Sequence, residues 1–172
     1  MYSEKTVDLV KHFEGLHDGD LTVIHLQPKR CPAGIWTAGY GRALRHPVTG
    51  RFLRLAGEYR LACELVNGGL TEEQACDWLR EDLDKVAQQI TLPYDLTDYQ
   101  FGAIVSLAYN IGVWNFKQSS VLRNLNNRQP GLAAGAFLKW NKATVGGKKV
   151  ALRGLTLRRE AEKKLFETGL YP

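Results

Sequence analysis

Val7, Val10 and Phe13 recur about every third residue, a spacing that predicts a helix over residues 3 to 14, stopped by Gly15. From 20 to 60 that period is lost, and Gly, Pro and Thr break the chain into pieces that suit short strands and turns. Thr71-Glu72-Glu73-Gln74 has the form of a capping box, in which the Thr hydroxyl and the Gln side chain each satisfy a backbone donor; it opens a helix to about Ile90. Thr97-Asp98-Tyr99-Gln100 repeats the device. It opens FGAIVSLAYNIG, small and apolar almost all round, the composition of a helix at the centre of a bundle. Its expected neighbours are 119 to 127, 130 to 140 with Pro130 at the helix start, and 156 to 168, where Leu157, Ala161, Leu165 and Phe166 form an apolar stripe. The fold class expected is α+β, mostly α. A small β-containing lobe (about 15–60) stands beside a helical lobe (about 92–168), with 71–90 as connecting helix and a cleft between the lobes, all in a single domain 1–172.

Composition adds limits. With 172 residues, 44% hydrophobic and 24% charged, the chain can bury a real core, and no fixed-period repeat divides it. Twenty-three Lys and Arg against eighteen Asp and Glu leave a net charge of +5, which suits a polyanionic partner: nucleic acid, anionic lipid or cell-wall polymer. The densest basic run, Lys139 to Arg159, reads as a solvated face. No helix-turn-helix or other nucleic-acid module accompanies it, so no nucleic-acid partner is expected. The N-terminus lacks a signal-peptide h-region and no long apolar run follows, so neither secretion nor stable membrane association is expected, and the chain is read as a monomer.

Cys31, Cys63 and Cys76 are an odd set without metal-ligand spacing, which implies reduced thiols. Cys63 and Cys76 lie in helix-like apolar patterns and are expected to be buried and inert. Cys31 lies in a loop between Arg30 and Pro32. His17 and His25 are lone imidazoles, so no metal and no cofactor are expected. Trp36, Trp78 and Trp140 are read as packing residues. The stretch from Phe13 to Gly41 is different: the acid Glu14 at a helix end, the thiol of Cys31 and the hydroxyl of Thr37, punctuated by glycines, which read together as the floor of an active site.

The segments FEG, CPAGIWTAGYG, FGAIVSLAYNIG, NFKQSSVLRNLN, AFLKWNK and GLTLRREAEKKLF fall in the order and approximate spacing of the phage-type lysozymes, the muramidase endolysins. The chain resembles that family over about residues 7 to 168. The resemblance implies a lysozyme-like fold and hydrolysis of the β-1,4 bond between N-acetylmuramic acid and N-acetylglucosamine in peptidoglycan. It also implies a catalytic set of Glu, Asp-or-Cys, and Thr. Glu14 matches the first position. Cys31 matches the second, five residues (Pro32 to Trp36) ahead of Thr37, which matches the third.

The chemistry agrees with that set. Glycoside cleavage needs an acid to protonate the departing oxygen and a group that activates water on the opposite face of the sugar. A carboxyl partly removed from water holds its proton more readily, and Glu14 suits the acid. Thr37 can hold a water whose proton Cys31 accepts as thiolate, a form favoured by cations such as its neighbours Lys29 and Arg30; the product is then inverted. One departure leaves the second position open. Sixteen residues, Gly15 to Arg30, separate Glu14 from Cys31 where the family has about half as many, and the insertion brings Asp18 and Asp20. Asp20 is therefore the alternative base. The competing reading of HDGD is a turn, in which Asp and Gly are favoured.

Arg158 matches the basic residue that orients the acid in this family, against the alternative of an exposed cation on a C-terminal helix. Candidate substrate contacts are Tyr40, Trp114 and Phe116 for stacking on sugar faces, and Asn110, Gln118 and Ser119 for polar contacts, with helix capping the competitor for Ser119. The resemblance further implies synthesis in a host cytoplasm, release by a holin, and action on the wall in the periplasm. A lytic transglycosylase using Glu14 alone, or a non-catalytic peptidoglycan-binding protein, are the other function classes.

Overall fold

The structure is a computed structural model and describes residues 1–16, 18–19, 25–31 and 33–171. His17 and Asp20 lie outside the described residues. The fold is α+β and mostly helical, with small antiparallel strands. The chain separates into two compact units, Met1–Phe13 with Leu83–Pro172, and Glu14–Asp82.

In the first unit, helix α1 (Glu4–Glu14, its last residue belonging to the second) buries Thr6, Val7, Leu9 and Val10. Helix α4 (Asp98–Ile111) is the central element. Its start carries the anticipated box: the Thr97 hydroxyl accepts from Gln100 N at 3.3 Å, and Thr97 N donates to Gln100 Oε1 at 3.2 Å. Gly102 to Ala108 are buried without a break, the all-round burial that the small apolar run requires. Gly102 is needed for close approach: a Cβ there would fall 1.9 Å from Thr6 Oγ1. Against α4 pack α5 (Val113–Lys117) and α8 (Arg153–Thr168), while α6 (Ser120–Asn126) packs on α7 (Pro130–Phe137, with Pro at its first turn), which in turn packs on α8. Phe137 of α7 meets Phe166 of α8 with ring centroids 5.7 Å apart.

Two features of this unit depart from expectation. The stripe on α8 is not purely apolar: Leu165 and Phe166 are buried, but Leu157 is 48% exposed while Arg158, Arg159 and Glu162 are buried. An ion cluster has taken core positions that the apolar pattern assigned to Leu157. The second departure is a two-stranded hairpin, β4 (Lys142–Val145) with β5 (Lys148–Ala151), inside the run read as a featureless basic face.

The second unit contains the sheet β1 (Lys29–Arg30), β2 (Trp36–Ala38) and β3 (Arg42–Ala43), in that order and antiparallel. Lys29 pairs with Thr37, and Thr37 in turn with Ala43. Its core joins Ala38, Leu44, Leu53, Ala62, Val66 and Leu70, with Trp36 and Trp78 packed against it. Helix α2 (Tyr59–Leu65) lies here, as does the first part of α3 (Glu72–Ala87), capped by Thr71 and Gln74 as its sequence requires. Cys63 and Cys76 are half-buried free thiols rather than fully buried ones. Cys76 Sγ accepts from Arg80 at 3.0 Å, so a polar neighbour holds it near the surface.

The described part of the insertion is tied down by backbone groups. Asp18 Oδ1 accepts from Gln27 N at 3.1 Å and Gly19 N donates to Gln27 O at 3.0 Å. Leu26 bridges to Leu70, and Gln27 Nε2 donates to Gly68 O at 2.8 Å.

Candidate active site

Glu14 is the last residue of α1 and is half-buried; Gly15 follows at φ +69° and ends the helix. Its carboxylate lies against the turn after β2: a Cβ on Gly41 would stand 3.7 Å from Glu14 Oε2. Gly41 has φ +85°, a left-handed backbone that a glycine adopts without penalty. A side chain at 41 would therefore be in van der Waals contact with the acid, a proximity that the place of Gly41 in TAGYG did not by itself announce.

Thr37, on the same strand–turn segment, is 3% exposed and donates its hydroxyl hydrogen to Lys29 O at 3.0 Å. A hydroxyl that donates one hydrogen bond can also act as an acceptor. Cys31 lies just past β1, where its N–H donates to Ile35 O at 2.9 Å and its carbonyl accepts from Gly34 N at 2.8 Å. Strand alternation from the Lys29–Thr37 pair puts Cys31 on the same face of the hairpin as Thr37, two positions along. Cys31 is a half-buried free thiol. The neighbouring Arg30 guanidinium donates to Gly34 O and Arg54 O.

A positively charged anchor follows directly. Arg42 lies over the Trp78 ring, 4.6 Å from its centroid, donates to the Trp78 carbonyl, and pairs with Asp82 at 2.8 Å and Glu81 at 3.0 Å. It fixes β3, and with it the turn at Gly41, to α3. Only its position next to Gly41 could have signalled this.

The remaining candidates separate. Phe116 is 1% exposed and offers no ring face to a sugar, so it is a core residue rather than a stacking platform. Tyr40 is also buried, and its hydroxyl donates to Glu72 at 3.1 Å. Ser119 caps α6, accepting from Leu122 N at 3.1 Å. Trp114, by contrast, is 71% exposed, Asn110 is half-buried and Gln118 is exposed. Gln118 and Ser119 line a depression of about 390 Å³ with Arg123, Asn126 and Asn127.

Arg158 is buried, which removes the reading as an exposed cation. Its Nε donates to Glu162 Oε1 at 3.2 Å, and its guanidinium carbon lies 5.9 Å from the centre of the Phe13 ring. Glu162 also pairs with Arg159 at 2.8 Å and accepts from Ser106 Oγ at 2.8 Å. Burial pushes the Glu162 carboxyl up, against the pull of both arginines and the Ser106 hydrogen bond. Among the described residues, no group of acids, histidines or cysteines could hold a metal ion, and no helix is long and apolar enough to cross a membrane.

The phage lysozyme family profile matches residues 11–162. The chain is 38% identical over 171 residues to an endolysin of Acyrthosiphon pisum secondary endosymbiont phage 1, covering 97% of this chain and 98% of that protein. Among solved structures, the endolysin from Escherichia coli O157:H7 phage FAHEc1 superposes with a TM-score of 0.78 at 30% identity, covering 100% of this chain and 96% of that one. The muramidase domain of SpmX from Asticaccaulis excentricus gives 0.73 at 32% identity, with 98% of each chain covered. The chain belongs to the phage lysozyme family, the muramidase class of glycoside hydrolases.

Proposed function

We infer that this lysozyme is an endolysin that cuts the β-1,4 bond between N-acetylmuramic acid and N-acetylglucosamine of bacterial peptidoglycan, with Glu14 as general acid. What carries this reading is the placement of the Glu14 carboxylate against Gly41, at the end of the turn that starts from Thr37. Glu14 and Thr37 belong to the same compact unit, which supports their use in one reaction.

In the proposed reaction, Glu14 gives its proton to the departing glycosidic oxygen as the bond to the anomeric carbon breaks. A water attacks that carbon from the opposite face, so the configuration inverts. Because Thr37 donates to Lys29 O, its oxygen accepts one water hydrogen. Cys31, as thiolate, takes the other, which leaves a water lone pair free to attack. General-acid help of this kind is worth about a hundred- to ten-thousand-fold. Arg158, anchored by Glu162, has the task of orienting Glu14. Asn110, Trp114 and Gln118 are the sugar contacts best exposed for the role. Lysis of the host follows once the enzyme reaches the wall, a passage assigned to a holin.

The test is one set of single replacements, Glu14→Gln, Cys31→Ala, Asp20→Asn and Thr37→Ala, assayed on a single purified peptidoglycan with mass spectrometry of the products. Glu14→Gln is expected to abolish turbidity loss and the wild type to give reducing rather than 1,6-anhydro ends. Anhydro ends would replace hydrolysis by transglycosylation. Full rate in Cys31→Ala with loss in Asp20→Asn would move the base to Asp20.

A further inference from the structure

No Asp or Glu occurs between Asp98 and Glu160, and within that span residues 138–157 carry five cations: Lys139, Lys142, Lys148, Lys149 and Arg153. The rest of the chain holds eighteen cations and eighteen anions, so this one segment accounts for the whole net charge of +5. All five cations are exposed. The same twenty residues also hold five of the thirteen large hydrophobics exposed among the described residues, including Val145 at 54% and Val150 at 44%.

The hairpin sorts these side chains. Val145 pairs with Lys148 and Ala143 with Val150, and the bond from Leu152 N to Asn141 O extends the ladder by one rung. Alternation then puts Ala143, Val145, Val150 and Leu152 on one face, with Lys148 at its tip, and Lys142 and Lys149 on the other. The base is anchored, Asn141 Nδ2 donating to Thr156 Oγ1 at 3.2 Å, while the tip projects with its valines uncovered.

We propose that the β4–β5 hairpin is a peripheral docking surface for an anionic lipid bilayer. A soluble polyanion would satisfy the lysines and leave the valine face in water. A second copy of the chain would bring five cations against five. Only an anionic bilayer surface takes both features at once, since its headgroups attract the basic residues while the acyl boundary receives the apolar tip. The association is reversible and weakened by salt, unlike a membrane span.

The test is cosedimentation of the full chain with vesicles of phosphatidylglycerol and phosphatidylcholine, against vesicles of phosphatidylcholine alone, at low and high salt. Two double variants accompany it, Lys148→Glu/Lys149→Glu and Val145→Ser/Val150→Ser, with digestion of purified peptidoglycan as the control for folding. The expected result is binding to the anionic vesicles only, lowered at least about ten-fold in each variant while wall digestion is unchanged. Equal binding of the wild type to both vesicle types overturns the proposal. So does undiminished binding of the valine variant, which would make the patch a surface for any polyanion.

Discussion

Glu14 and Gly41 are held so that a side chain on residue 41 would begin 3.7 Å from Glu14 Oε2, at a backbone φ of +85°. Alanine at 41 therefore combines backbone strain of about 1–2 kcal/mol with a methyl group against the carboxylate. Gly50 supplies the control, having φ +69° and nothing within 4 Å of its would-be Cβ. Gly41→Ala and Gly50→Ala are expected to lower the melting temperature similarly, with only Gly41→Ala losing wall-digestion rate. Equal rates in the two variants would show that the approach to Glu14 is not sensitive to residue 41.

Thr37 offers a separation of structure from chemistry. Its hydroxyl serves the Lys29 carbonyl, and the proposed reaction uses its lone pairs for water. Thr37→Ser keeps both functions. Thr37→Val leaves a carbonyl without this donor, at a cost of about 1–3 kcal/mol. It should also lose about a hundred-fold in kcat, measured well below its melting temperature. A valine variant that is destabilised but retains kcat would limit Thr37 to a structural role.

The helical part of the fold was legible because its signals are local. Both Thr-x-x-Gln boxes cap the helices they announce, and the FGAIVSLAYNIG run is buried as its composition requires. The position of Glu14 at a helix end was also readable, from the glycine after it, whereas Thr37 was expected only somewhere within a run of short strands and turns and lies in β2. What escaped depends on partners distant in sequence. Phe116 looks like any exposed aromatic until α5 is packed, and nothing local says that Arg158, Arg159 and Glu162 are buried while Leu157 is not. The β4–β5 hairpin was hidden by its lysines, which read as a solvated face although Gly146-Gly147 between two short runs is a turn signal.

Glu58 makes the second unit acid-sensitive. At the short 3-10 turn Ala56–Glu58 its carboxylate pairs with Arg51 and accepts from Arg54 N and Leu55 N, each at 2.8 Å. The Arg51 hydrogen bond, then the backbone donors, hold its pKa at about 2 against an ordinary 4.5. The folded chain thus keeps the charge where the unfolded chain takes up a proton. The stabilisation is whole above 4.5 and drains as pH falls toward about 2. Thermal melts of Glu58→Gln are expected to show a shallower decline over that interval than wild type. Parallel declines would mean that the carboxylate contributes no pH dependence.

Glu162 has a larger effect on stability because nothing around it is solvated. It is 0% exposed, with Ser106, Arg158 and Arg159 on its oxygens. Replacing such a group by well-packed apolar residues can be neutral, but removing one partner leaves buried charge behind and costs about 3–5 kcal/mol. Glu162→Ala should fall in that range by denaturant titration, and Ser106→Ala should cost about 1.5–3 kcal/mol, the value of a hydrogen bond to a charged group. Since the serine acts through the carboxylate, the double variant should cost clearly less than the two singles added together. Strict additivity would show that Ser106 stabilises α4 independently of the ion cluster. In that case the arginines alone would hold Glu162, and Ser106→Ala would leave the anchoring of Arg158 intact.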